Sequence, residues 1–125
     1  GLKKLFSKDA QKHIEDLDSK LDQFINTFNG NKIESKKSRD PNFEGSTQAQ
    51  PLHIFGKYHL KLSNGDKYIL FINTCDIDED NKDREGIYQL VILTFSSEEV
   101  PEDFRMEGTN NDYGIFIYSK DGTLL

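Results

Sequence analysis

The sequence predicts an α+β domain in which an N-terminal helix packs on a curved antiparallel sheet of four to six strands. Three observations carry that prediction. Ile14, Leu17, Leu21, Phe24 and Phe28 recur at spacings of three and four, the apolar stripe of an amphipathic helix, and Ile25 widens it. Residues 58–62 and 66–72 are two β-prone runs on either side of Asn64-Gly65, a strong hairpin signal because both central residues of a type I′ turn need positive φ. Further runs over 87–95 and 113–118 supply more strands.

The elements follow in order. Leu2, Leu5 and Phe6 suggest a helical turn ahead of Ser7, and Ser7 or Asp9 can cap the main helix. Asn29-Gly30 supplies a left-handed stop. Residues 31–38 can form a first strand anchored by Ile33, and Lys36-Lys37-Ser38-Arg39 reads as a solvated basic patch, with contact to an acidic partner or lipid headgroups as the alternative. Residues 44–50 read as a loop ending at Pro51.

A two-residue turn at Asn64-Gly65 places Tyr58 opposite Phe71 and Leu60 opposite Ile69, with Leu62 on the same, helix-covered face. The other face then carries Lys57, His59 and Lys61 beside Tyr68, Leu70 and Ile72. Such an apolar half must be covered by another segment or by a partner. Residues 76–86 form an acidic loop, and 87–95 is apolar on both faces, as in a central strand. Residues 96–108 are a connector with a short strand expected at Phe104–Met106, and Lys120-Asp121-Gly122 turns the chain after the last strand.

Composition narrows the function classes. At 125 residues the chain reads as one domain spanning 1–125, with nine Phe and five Tyr for its core. No apolar run approaches the roughly 18 residues of a membrane span. A net charge of -6 argues against a nucleic-acid groove. Gly1 before Leu2-Lys3-Lys4-Leu5-Phe6 reads as a tag-cleavage remnant. Cys75 is the single cysteine, so an intramolecular disulfide is impossible, and Asp76 and Asp78 would raise its thiol pKa, which suits a structural role.

Chemical motifs are sparse. Asp76, Asp78 and Asp80 have the spacing that opens a calcium loop, but Asn81 and Ile87 stand where such a loop needs glycine and a bidentate acid. His53 and His59 share strand parity yet lie about 20 Å apart on an unbroken strand, too far to share a metal. Phosphate loops, nucleophile elbows and paired metal-binding histidines are missing, so no catalytic, cofactor or metal residue is assigned.

The plan of one helix followed by an antiparallel meander resembles the cystatin-like cone shared with nuclear transport factor 2-like domains. Within that group, residues 2–10, Phe28-Asn29-Gly30 with Ile33-Glu34-Ser35, and residues 81–88 resemble uncharacterised lipoproteins of Gram-positive, clostridial-type bacteria. The resemblance implies export and a lipid anchor upstream of Leu2, with membrane contact through that anchor alone. It implies no activity and no catalytic residues. A cystatin inhibitor hairpin, Gln-x-Val-x-Gly, is not present; the nearest text is Gln48-Ala49-Gln50-Pro51-Leu52.

The expected function is a non-catalytic binding or interaction domain outside the membrane, taking a small ligand, a peptide, a protein or a second copy. Tyr68, Leu70, Ile72, Lys57 and His59 form the candidate interface, including a homodimer through the sheet face. Tyr58, Phe71 and Tyr113 form the candidate pocket of the alternative, a small enzyme using the cone as a dry site. A third reading, an immunity or inhibitor protein for a basic toxin, rests on the acid excess.

Overall fold

Ser7 opens the helical region by accepting the Ala10 N–H on its hydroxyl at 3.0 Å, which caps α1 (Lys8–His13). In the computed structural model, which describes residues 2–38, 42–44, 52–106 and 113–125, the predicted single helix is divided. α1 ends at Ile14, and α2 (Leu17–Asn26) begins after Asp16, whose φ of 51° is left-handed. Aspartate tolerates that conformation better than most residues, so the break falls there. Leu17, Leu21 and Phe24 are buried on α2, as the stripe predicts. Asn29 and Gly30, with φ of 48° and 75°, stop the chain.

Among the described residues six strands follow: β1 (Ile33–Ser38), β2 (Asn42–Glu44), β3 (Leu52–Leu62), β4 (Lys67–Ile77), β5 (Gly86–Leu93) and β6 (Gly114–Tyr118). They make one open sheet in the order β1-β3-β4-β5-β6, with β2 paired to β3 beyond the end of β1. The predicted all-antiparallel sheet is corrected to a mixed one, because β6 runs parallel to β5. Residues 94–113 supply the long crossover such a pair requires. The strand expected at Phe104–Met106 is irregular chain within that crossover. The loop predicted over 44–50 lies, from residue 45 on, outside the described residues, as do Arg39, Pro51 and the last part of the 96–108 connector.

The hairpin forms where predicted but in a different register. Gly65 N–H donates to Leu62 C=O at 2.9 Å and Leu62 N–H to Asp66 C=O at 2.8 Å, so Ser63, Asn64 and Gly65 are all loop. Ser63 is held out of the ladder by β1's approach. Its N–H donates to Lys32 C=O at 2.8 Å, and its hydroxyl accepts from Lys32 N–H at 3.0 Å while donating to Asn31 Oδ1 at 3.1 Å. Tyr58 therefore pairs with Leu70, Leu60 with Tyr68, and His59 with Ile69. A one-residue slip moves every β4 side chain to the other face.

The sheet buries a core on each side. On the inner face Leu60, Leu62, Tyr68, Leu70, Tyr88, Leu90, Ile92, Ile115 and Ile117 pack with Leu17, Leu21 and Phe24 of α2 and with Phe6 and Ala10. On the outer face Ile69, Val91, Leu93, Phe95 and Tyr118 form a second cluster joined by Phe71, Phe116, Phe104 and Met106. The connector after β5 covers this half, and Phe104 meets the rings of Phe95 and Tyr118 edge-on at 5.1 and 5.2 Å. The rest of the outer face, over β1 and β3, is left to Lys37, Lys57, His59 and Lys61.

Candidate functional site

Strand alternation and the observed register set the outer-face groove. Lys61 pairs across the ladder with Lys67 on β4 and with Ser35 on β1, and His59 pairs with Lys37 in the next row. Side chains in paired positions share a face. Lys37, His59, Lys61, Lys67 and Ser35 thus point together into a groove of about 360 Å³. The start of the connector, Ser96 to Glu98, walls it, and Leu60 and Tyr68 also line it. Among the described residues none of these three lysines is in an ion pair, although the chain carries 22 acids. Among the described residues Glu98 is the one acid lining the groove. Lys57 sits just beyond, its ammonium 5.6 Å from the Phe71 ring centre, a cation–π contact that occupies it.

The predicted interface is therefore corrected in part. Tyr68 and Leu70 lie on the inner face under α2, 6% and 9% exposed, and Ile72 packs half-buried against the same core. Lys57 and His59 are on the outer face, so the five residues share no single surface. The apolar half that demanded a cover belongs instead to Ile69 and Phe71, and the chain's own connector covers it. Tyr68 is further anchored by donating its hydroxyl to Thr27 C=O at 2.5 Å. Burial, with Asp66 adding to it, pushes its pKa up.

The predicted pocket trio is also separated by the register. Tyr58 packs against the inner core, with the Lys36 ammonium 5.1 Å from its ring centre, while Phe71 is on the outer face. The space between helix and sheet is filled: the rings of Phe24 and Phe28 meet edge-on at 5.5 Å, and Phe28 lies 5.7 Å from Tyr68.

Tyr113 belongs to a polar cluster that sequence reasoning did not assemble. Its hydroxyl donates to Asp9 Oδ2 at 2.5 Å, joining α1 to the start of β6. Burial first, then the Asp9 carboxylate, push its pKa up to about 12, so it acts as a donor and not as a base. Arg84 reaches 3.9 Å from both Asp9 Oδ2 and Asp78 Oδ2, and His13 Nδ1 is 3.4 Å from Asp9 Oδ1. Asp78, 2% exposed, turns the acidic loop by accepting N–H groups of Asp80 and Asn81 on Oδ1 at 3.2 and 3.0 Å. Asp76, Asp78 and Asp80 do not gather around a cation: among the described residues no three His, Cys, Asp or Glu side chains converge as metal ligands. Cys75 is buried, and desolvation followed by Asp78 and Glu85 raises its thiol pKa. His53 stacks on Phe55 and meets Tyr88 edge-on at 5.6 Å, and it does not share the groove with His59.

Residues 1–100 match the model of a domain of unknown function, DUF5104. The chain belongs to the DUF5104 family. No curated protein and no solved structure matches it. The matched span holds α1, α2, β1 through β5 and each described residue lining the groove. No helix among the described residues of this DUF5104 chain is long and apolar enough to cross a membrane.

Proposed function

We propose that this DUF5104 chain is a non-catalytic binding domain, displayed outside the membrane through a lipid anchor upstream of Leu2, that holds its ligand on the outer face of its sheet. The observation that carries this reading is the groove of Lys37, His59, Lys61 and Lys67, whose lysines are unpaired among the described residues. The filled space between α2 and the sheet supports placing the ligand outside and not in an interior pocket. Register shifts in the ladders of β1, β3, β4 and β5 support a sheet curled about the helix in the manner of the cystatin-like and nuclear transport factor 2-like cone.

Two measurements test this. Screening ¹⁵N-labelled protein against a fragment library should move the amides of Ser35, Lys37, His59, Lys61, Lys67 and Ser96 together. Hits that instead gather around Asp9, Arg84 and Tyr113 would overturn the assignment. Recovery of the natural protein in the membrane fraction, carrying fatty-acid label, supports the anchor; recovery wholly in the cytosol refutes it.

A further inference from the structure

We infer that the outer-face groove takes a compact ligand bearing two or more adjacent phosphoryl-type anionic groups. The inference rests on the outer face being the binding surface, and it adds the ligand's chemistry. Its basis is the placement of like charges. Lys61 stands directly opposite Lys67 in the β3–β4 ladder, and Lys37 adds a third ammonium from the next row of the β1–β3 ladder, where it pairs with His59. The opposed lysines repel each other and destabilise the sheet. Strand spacing and rise put the backbones of Lys37, Lys61 and Lys67 within about 12 Å of one another. Three ammonium groups on flexible stems can thus converge on one small anion without moving the sheet.

The surroundings leave that charge standing. In a chain of net charge -6, none of the three lysines has an acidic partner among the described residues, and Glu98 is the single acid of the lining. Their counter-charge is therefore open to a ligand. Lysine binds as a point charge with three donors, which suits a tetrahedral phosphoryl group approached from several sides. A planar carboxylate is better matched by arginine's fork, and no arginine among the described residues lines the groove. Ser35, Ser96 and Ser97 add hydroxyl donors for the oxygens the lysines do not reach. A volume of about 360 Å³ suits a small molecule or a headgroup. A long polyanion would face repulsion from the rest of this acidic surface.

The test is titration of the ¹⁵N-labelled protein with inorganic orthophosphate and pyrophosphate, alongside flotation with phosphatidylglycerol and phosphatidylcholine vesicles. Pyrophosphate is expected to move the groove amides and to bind at least tenfold more tightly than orthophosphate, weakening as salt rises. Lys61→Ala and Lys67→Ala should each weaken binding about fivefold or more, and Glu98→Gln should tighten it. These positions are exposed, so the melting temperatures should hold, or rise slightly where the lysine repulsion is removed. Flotation with phosphatidylglycerol but not phosphatidylcholine vesicles, lost in both lysine variants, supports the same chemistry with the side-by-side headgroup phosphates of a bilayer as its source. A pyrophosphate response without flotation supports a soluble source. Neutral or cationic fragments seated in the groove while pyrophosphate and anionic vesicles leave it unmoved would overturn the phosphoryl assignment and spare the outer-face reading. Silence of the groove to every probe overturns both. Pyrophosphate binding that ignores both lysine substitutions would also refute the assignment.

Discussion

Gly86 offers the sharpest test of how the N-terminal segment is held. It starts β5 with φ of 126°, and a Cβ there would lie 2.8 Å from Ser7 N and 3.0 Å from both Leu5 O and Ser7 Cα. These are backbone atoms, which cannot swing aside as a side-chain tip can. The same segment donates Ser7 N–H to Ile87 C=O at 2.8 Å and buries Phe6 to 3% exposure. Gly86→Ala must therefore strain the backbone, at about 1–3 kcal/mol. It must also lift the segment, losing a hydrogen bond of about 1 kcal/mol and part of the ~1.5–3 kcal/mol from burying Phe6. The expected loss is about 3–5 kcal/mol of a total near 5–15 kcal/mol, which lowers the urea midpoint by roughly 2 M. Gly65→Ala is the comparison: its φ is 93° but nothing lies within 4 Å of the added Cβ. That variant should lose only the strain, about 1–2 kcal/mol. Urea melts in which Gly86→Ala costs no more than Gly65→Ala would refute the claim that the N-terminal backbone is seated on β5.

Three further outcomes are expected. Tyr113 has its pKa raised to about 12, so its contribution to stability is complete below the ordinary tyrosine value and is lost as pH rises through about 12. Ultraviolet titration should show, besides the raised Tyr68, a phenolate near 12 that Tyr113→Phe removes and Asp9→Asn brings earlier; an unchanged titration in Tyr113→Phe would reject the assignment. Phe24→Ala, which empties the ring contact with Phe28 beneath α2, should cost about 3–5 kcal/mol by denaturant melts, and a loss below 1 kcal/mol would mean the helix–sheet space is not filled as described. Deleting Ser63 shortens the loop to Asn64-Gly65 while leaving Leu62 opposite Asp66, so cross-strand contacts of Leu60 with Tyr68 should persist in nuclear Overhauser spectra; contacts of Leu60 with Ile69 instead would show the register to be set elsewhere.

The elements were largely legible because each rests on a local pattern. The α2 stripe, the doubly buried β5 and the left-handed stop at Asn29-Gly30 appear as expected. The break at Asp16 was not legible, since the apolar stripe runs through it and only the backbone reveals the left-handed residue. The parallel pairing of β6 was hidden for another reason: a strand's sequence carries its burial but not its direction, and direction is set by the crossover. Contacts across long sequence separations were invisible too, above all Asp9 with Tyr113, 104 positions apart.

The hairpin register had the largest functional consequence. A two-residue turn at Asn64-Gly65 would set Tyr68 opposite Lys61, and the outer face would alternate cations with aromatic and aliphatic side chains. That composition suits a protein interface. The observed three-residue loop sets Lys67 opposite Lys61 and sends Tyr68 and Leu70 beneath α2. That composition suits an anion. The difference traces to Ser63, whose three hydrogen bonds to Asn31 and Lys32 depend on β1 arriving beside the turn. Turn sequence alone favours the shorter loop, because Asn-Gly satisfies type I′ geometry. A neighbouring strand overrules it by giving Ser63 better use in the loop than in the ladder. The character of the outer face is therefore decided by a contact between residues more than thirty positions apart, and no reading of the hairpin in isolation could have found the lysine pair.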